Sequence, residues 1–75
     1  MTNEEKELYS ICKKLELYKG YTEGVMDLVE DSEEDLRELL NFHKRNPQVN
    51  ESDFLGYAMY LNIKRTEPER IIEDD

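Results

Sequence analysis

The stretch DLVEDSEEDLRELL, Asp27 to Leu40, decides the fold of this chain, because it reads either as one helix or as two. It holds seven carboxylates and a single Arg37. In one reading Ser32 caps a new helix, with Asp35 three residues on, after a short helix over about residues 23 to 30. In the other, a single helix runs from about Glu23 to Arg45 and Ser32 is interior. Stepping 100° per residue from Asp27, the residues Val25, Leu28, Val29, Leu36, Leu39, Leu40 and His43 fall between about 100° and 220°, with Ser32 mid-arc. Asp27, Glu30, Asp31, Glu34 and Glu38 fall on the opposite side, between about -60° and +40°. A new helix start usually disturbs such a register. Phase therefore favours the continuous helix, with one carboxylate face opposite the core.

Working outward, the N-terminal segment TNEE offers Thr2 as a cap and Glu5 as its capping-box partner. Leu8, Ile11, Cys12, Leu15 and Tyr18 then form one apolar stripe, and Gly20 supplies a left-handed residue to close a helix over about residues 3 to 19. On the other side, PQVNESDF announces another helix: Pro47 stops its predecessor, Asn50 caps, Asp53 sits at the box position, and Val49 and Phe54 are spaced as a hydrophobic staple. This last helix has two apolar faces. Phe54, Tyr57, Ala58 and Leu61 make one, and Leu55, Met59 and Ile63 make the other. Two faces fit a central helix sandwiched between its neighbours; the alternative is that Leu55, Met59 and Ile63 form an exposed apolar interface with a second copy or a partner. The end of the chain, TEPERIIEDD, offers Thr66 as a cap, Glu69 at its box position, and Ile71 and Ile72 as apolar anchors. The expected architecture is all-α: a small three-helix bundle over residues 1 to 65, with an acidic tail or optional short helix over residues 66 to 75.

Charge narrows the partners. The chain has 75 residues and a net charge of -9, which repels nucleic acid and anionic membrane and suits a basic protein surface. The acidity is local: residues 1 to 20 are neutral, residues 21 to 40 sum to -7, residues 41 to 65 to +2, and residues 66 to 75 to -4. Apolar residues make up 37%, enough to form a core. Nothing resembles a signal peptide and no apolar run reaches the roughly 20 residues of a bilayer span, so a cytoplasmic protein is expected.

A search for chemistry returns negatives. Cys12 is the one cysteine, so there is no internal disulfide and no zinc ligand set, and its place in an apolar stripe marks packing rather than a nucleophile. His43 lies on the apolar side of its helix near the C-terminus, a structural position. An EF-hand register begun at Asp27 puts Ser32 where glycine is required, and one begun at Asp31 puts Leu36 there. Exposed helix-surface carboxylates keep ordinary pKa values and make poor acid and base pairs. The helix from Asn50 offers Asn62, Lys64 and Arg65 at its end alone, too little for a DNA-reading helix in a negative field. The expectation is a protein that is not an enzyme and needs no cofactor or metal.

The acidic face remains. Asp27 with Asp31, Glu30 with Glu34, and Glu34 with Glu38 are like-charge pairs on a continuous helix, each destabilising by roughly 0.2 to 0.5 kcal/mol. A solvated surface that keeps a small domain soluble is the plain explanation. The sharper one is a partner-binding row over about 16 Å at phosphate-like spacing, able to occupy a cationic groove as phage-type inhibitors of nucleases and other nucleic-acid-binding proteins do.

MTNEEK at the start, Lys14 and Leu15, EEDL over Glu33 to Leu36, and the NESD cap followed by an apolar helix ending in IKR together resemble an uncharacterised family of short acidic helical proteins of Gram-positive bacteria. The register covers about residues 2 to 65. The pattern of that family has a serine-proline-serine-glutamate cap where this chain has Asn50 to Asp53, and a leucine-glycine pair where it has Leu61 and Asn62. The resemblance implies a helical fold and transfers no site.

The expected function is binding of a basic protein surface through Asp27, Glu30, Asp31, Glu34 and Glu38, as a monomer or homodimer. The rival is a structural or adaptor role through self-association.

Overall fold

The computed structural model describes residues 1 to 70; Ile71 and Ile72, the expected tail anchors, lie outside the described residues. Among those described there are four α-helices and no strand: α1 (Asn3–Leu15), α2 (Tyr21–Val29), α3 (Glu33–Arg45) and α4 (Glu51–Thr66), followed by a 3-10 turn over Pro68–Arg70.

The expectation of one continuous second helix fails at the opening stretch. α2 stops at Val29, and Ser32 adopts extended backbone (φ -141, ψ 109) as the N-cap of α3, its hydroxyl accepting from the Asp35 amide at 3.2 Å. Glu33, Glu34 and Asp35 follow in the first turn of α3, where carboxylates meet the positive end of the helix dipole. Phase misled because a common core imposes it on both pieces. The apolar arcs of α2 and α3 point at the same interior, so they keep one register across a corner. Length supplies the physical reason for the break. A helix of about 23 residues spans about 35 Å, against about 20 Å for α1 and about 24 Å for α4, and its overhanging apolar arc would face water.

α1 begins at its predicted capping box: Thr2 Oγ1 accepts from the Glu5 amide and Glu5 accepts from the Thr2 amide. It ends four residues earlier than expected, at Leu15, with Glu16 extended. Gly20 has the one positive φ described, +96°, but it serves as the N-cap of α2 rather than the close of α1. A glycine has no side chain to cap with. Glu16 reaches over instead, its carboxylate accepting from the Thr22 amide at 3.3 Å and from Lys13 Nζ at 2.9 Å, contacts that hold its carboxyl below the usual range. Leu17 and Tyr18, in the intervening linker, are exposed, so Tyr18 does not extend the α1 stripe.

α4 begins as predicted, with Asn50 Oδ1 accepting from the Asp53 amide at 2.7 Å. Thr66 is its last residue rather than a new cap, and its hydroxyl donates back to the Asn62 carbonyl.

The buried core takes Leu8 and Cys12 from α1, Tyr21, Val25 and Val29 from α2, Leu36, Leu39 and Leu40 from α3, and Phe54, Ala58 and Leu61 from α4. α1 and α4 each pack on both α2 and α3. The expected sandwiching of α4 between its neighbours is therefore corrected: α4 covers one side of the α2 and α3 pair, and the 3-10 turn packs against α4 in turn. His43 meets the edge of the Phe54 ring at 5.9 Å, in keeping with a structural role. Burial pushes the Cys12 thiol up to about 12. No helix among the described residues is long and apolar enough to cross a membrane.

Candidate functional site: an acidic corner between α2 and α3

The break at Ser32 redistributes the seven carboxylates of the opening stretch into two groups with opposite local physics. Asp27, Glu30 and Asp31 stand at the C-terminal end of α2, whose last turn contains no basic residue. Negative charge there meets the negative end of the helix dipole and is unfavourable. Glu33, Glu34 and Asp35 stand at the favourable N-terminal end of α3.

The arginines sharpen the division. Arg37 contacts Glu33 at 3.0 Å and Glu4 at 3.6 Å; Arg45 contacts Glu38 at 3.1 Å; Arg65 contacts Asp35 at 2.7 Å; and Arg70 contacts Glu67 at 3.1 Å. All four arginines of the chain are thus paired with acids other than Asp27, Glu30, Asp31 and Glu34. Those four have no ion-pair partner among the described residues, and all are exposed.

Of the five acids assigned to one face by the helical wheel, Glu38 is the one the structure sets apart. It lies toward α4, where Tyr57 Oη donates to its Oε2 at 2.7 Å and Arg45 donates to the same oxygen at 3.1 Å. These two donors hold the Glu38 carboxyl below the usual range, and the Tyr57 hydroxyl is correspondingly raised, chiefly by its bond to Glu38. Glu38 is a structural acid joining α3 to α4. What remains is a corner of four carboxylates within the span from Asp27 to Glu34.

The corner is braced from α4. Asn62 Nδ2 and Arg65 Nη2 both donate to the Leu28 carbonyl, at 3.0 and 3.2 Å, while Arg65 Nε donates to Asp35. Carbonyls in the last turn of a helix lack intrahelical partners. Here α4 supplies donors to one of them and anchors the first turn of α3 with the same guanidinium. Sequence reasoning placed Asn62 and Arg65 in the chain but not in this role, since 37 positions separate Leu28 from Arg65 and no local spacing relates them.

The other proposed surface divides in the same way. Leu55 packs against the core, whereas Met59 is 46% exposed and Ile63 lines an open groove with Gly56, Tyr60 and Arg70. Among the described residues, no group of three or more His, Cys, Asp or Glu side chains is arranged to hold a metal ion.

No protein-family model, curated protein or solved structure matches this chain.

Proposed function

We propose that this protein is a non-enzymatic binding module whose acidic corner, Asp27, Glu30, Asp31 and Glu34, docks on a basic surface of another protein in the cytoplasm. The observation that carries this reading is the absence of compensation. Four exposed carboxylates crowd the corner between α2 and α3, three of them at the wrong end of a helix dipole, while every arginine neutralises an acid elsewhere. A mixed surface, with both signs interspersed, avoids a large single-sign field of this kind. An uncompensated cluster raises the local potential that steers a cationic partner, speeding encounter more than it tightens the final complex.

The narrower form of the proposal is a phage-type inhibitor that takes the place of nucleic acid on a nuclease or other nucleic-acid-binding protein. The corner supports a compact basic patch as target better than a long groove, because the row of carboxylates turns at Ser32 instead of running straight. Competition with DNA for the captured partner separates the two forms.

The test is capture of partners from the cell that encodes the protein, at low and high salt, with wild type and with a Glu30→Lys, Asp31→Lys double variant. Partners should be lost at high salt and lost to the double variant while its helical circular dichroism is unchanged. A bound set indifferent to both would sink the proposal.

A further inference from the structure

We propose that the outward face of α4 binds a second copy of this chain, with the two α4 helices antiparallel across a two-fold axis at their midpoint. Gly56, Met59, Tyr60 and Ile63 line an open, mostly apolar groove of about 320 Å³ on that face, bounded at one side by Arg70 of the 3-10 turn, with Met59 and Tyr60 46% and 41% exposed. Gly56 is the unexpected member. It sits inside a helix with no positive φ, and a Cβ added there would meet nothing within 4 Å. Nothing within the described chain requires a glycine at a position where glycine is the costliest residue short of proline. A glycine there lets a backbone from outside the chain approach closely.

Charge selects the occupant and its direction. α4 spans Glu51–Thr66, so Asp53 is its third residue and Lys64 the third from its end. On a helical wheel Asp53 and Lys64 flank Gly56 on the same side, at about 60° and 80°. Neither has an ion-pair partner among the described residues; the Lys64 ammonium lies 5.8 Å from the Tyr60 ring centre. A two-fold axis that reverses one α4 against the other superposes the height of Asp53 on that of the partner copy's Lys64, twice over. A parallel arrangement would leave each Asp53 level with the other copy's Asp53 on the opposite flank and bring no Lys64 to its height. Residues 41 to 65 are also the one stretch with a positive sum, +2, in a chain of -9, so copies meeting here repel least. An isologous pairing of this kind closes on itself as a dimer and leaves both acidic corners exposed.

Sedimentation across the micromolar range tests the proposal on the full chain. Wild type should show a monomer to dimer equilibrium. Asp53→Lys and Lys64→Glu should each raise the dimer dissociation constant about tenfold or more, since each substitution turns two attractions into repulsions, and the double variant carrying both should recover most of the loss. Gly56→Leu should abolish the dimer with helicity retained. Direction is read by oxidative cross-linking, since Cys12 is buried and contributes no background. Met59→Cys, beside the axis, should form an intermolecular disulfide. Ser52→Cys should not, because the axis sets the two copies of that residue about 20 Å apart along the helices. A monomer at every concentration overturns the proposal, as does cross-linking through Ser52→Cys but not Met59→Cys, or a charge swap that fails to restore association.

Discussion

Replacing Ser32 with alanine distinguishes the two readings of Asp27 to Leu40 by sign. In the observed fold Ser32 Oγ accepts from the Asp35 amide at 3.2 Å and the residue is extended. Alanine removes the acceptor and leaves that amide without its partner, which costs about 1 kcal/mol, within a range of about 0.5 to 2 kcal/mol for N-caps. Inside a continuous helix the same change would replace serine by the best helix former and stabilise by a few tenths of a kcal/mol, at most about 0.5 kcal/mol. For a chain of this length the entropy of unfolding is about 0.16 kcal/mol per degree, so the expected drop in Tm is about 6 °C, against a rise of at most about 3 °C for the continuous helix. Thermal and urea unfolding followed by far-ultraviolet circular dichroism read the difference directly. Ser32→Asp should retain nearly full stability because aspartate caps as well as serine, and Ser32→Gly should lose only a few tenths of a kcal/mol. An unchanged or raised Tm for Ser32→Ala, with Ser32→Asp destabilised, would refute the assignment of the corner.

Glu30→Lys should raise stability by about 0.3 to 1 kcal/mol in urea unfolding, because it places a cation at the C-terminal end of α2; a loss would show that Glu30 is held by the fold rather than kept for a partner. Arg65→Ala breaks contacts to Asp35 and to the Leu28 carbonyl at once and should cost about 1 to 3 kcal/mol, whereas Arg70→Ala, on an exposed pair, should change stability by less than about 0.5 kcal/mol. Because the carboxyl of Glu38 titrates lower folded than unfolded, its contribution is present at neutral pH and is lost as pH falls below the ordinary carboxylate value of about 4.3 and on through its depressed one. The decline in stability over that window should be shallower in Tyr57→Phe, which removes the first donor; an identical slope counts against the bond. The Cys12 thiol, fully buried and pushed up to about 12, should react with a thiol reagent at neutral pH only as fast as the protein unfolds.

Much of the fold was legible before any tertiary contact was known. The Thr2 and Glu5 capping box and the Asn50 cap are satisfied within three residues along the chain. Hydrogen bonds of that reach depend on local backbone geometry alone, so sequence announces them. The Ser32 cap belongs to the same class and is equally legible in the sequence. Shared phase is necessary for a continuous helix and not sufficient, since two helices facing one core acquire it too.

The candidate site was half legible. Sequence by itself determined that the chain is helical, that its carboxylates concentrate between residues 21 and 40, and most of the inward-facing positions of α1, α2 and α3. Beyond the local pair of Arg37 with Glu33, tertiary structure decided which carboxylates stay uncompensated. Asp35 is claimed by Arg65 from 30 positions away and Glu38 by Tyr57 from 19, pairings that exist because α4 crosses α3 where it does. Leu55 joins the core while Met59 stays outside for the same reason. A helix carries its charges and apolar stripes from sequence. Whether each is neutralised, buried or left to a partner depends on what the neighbouring helix presents at that height, and chain spacing holds no record of that.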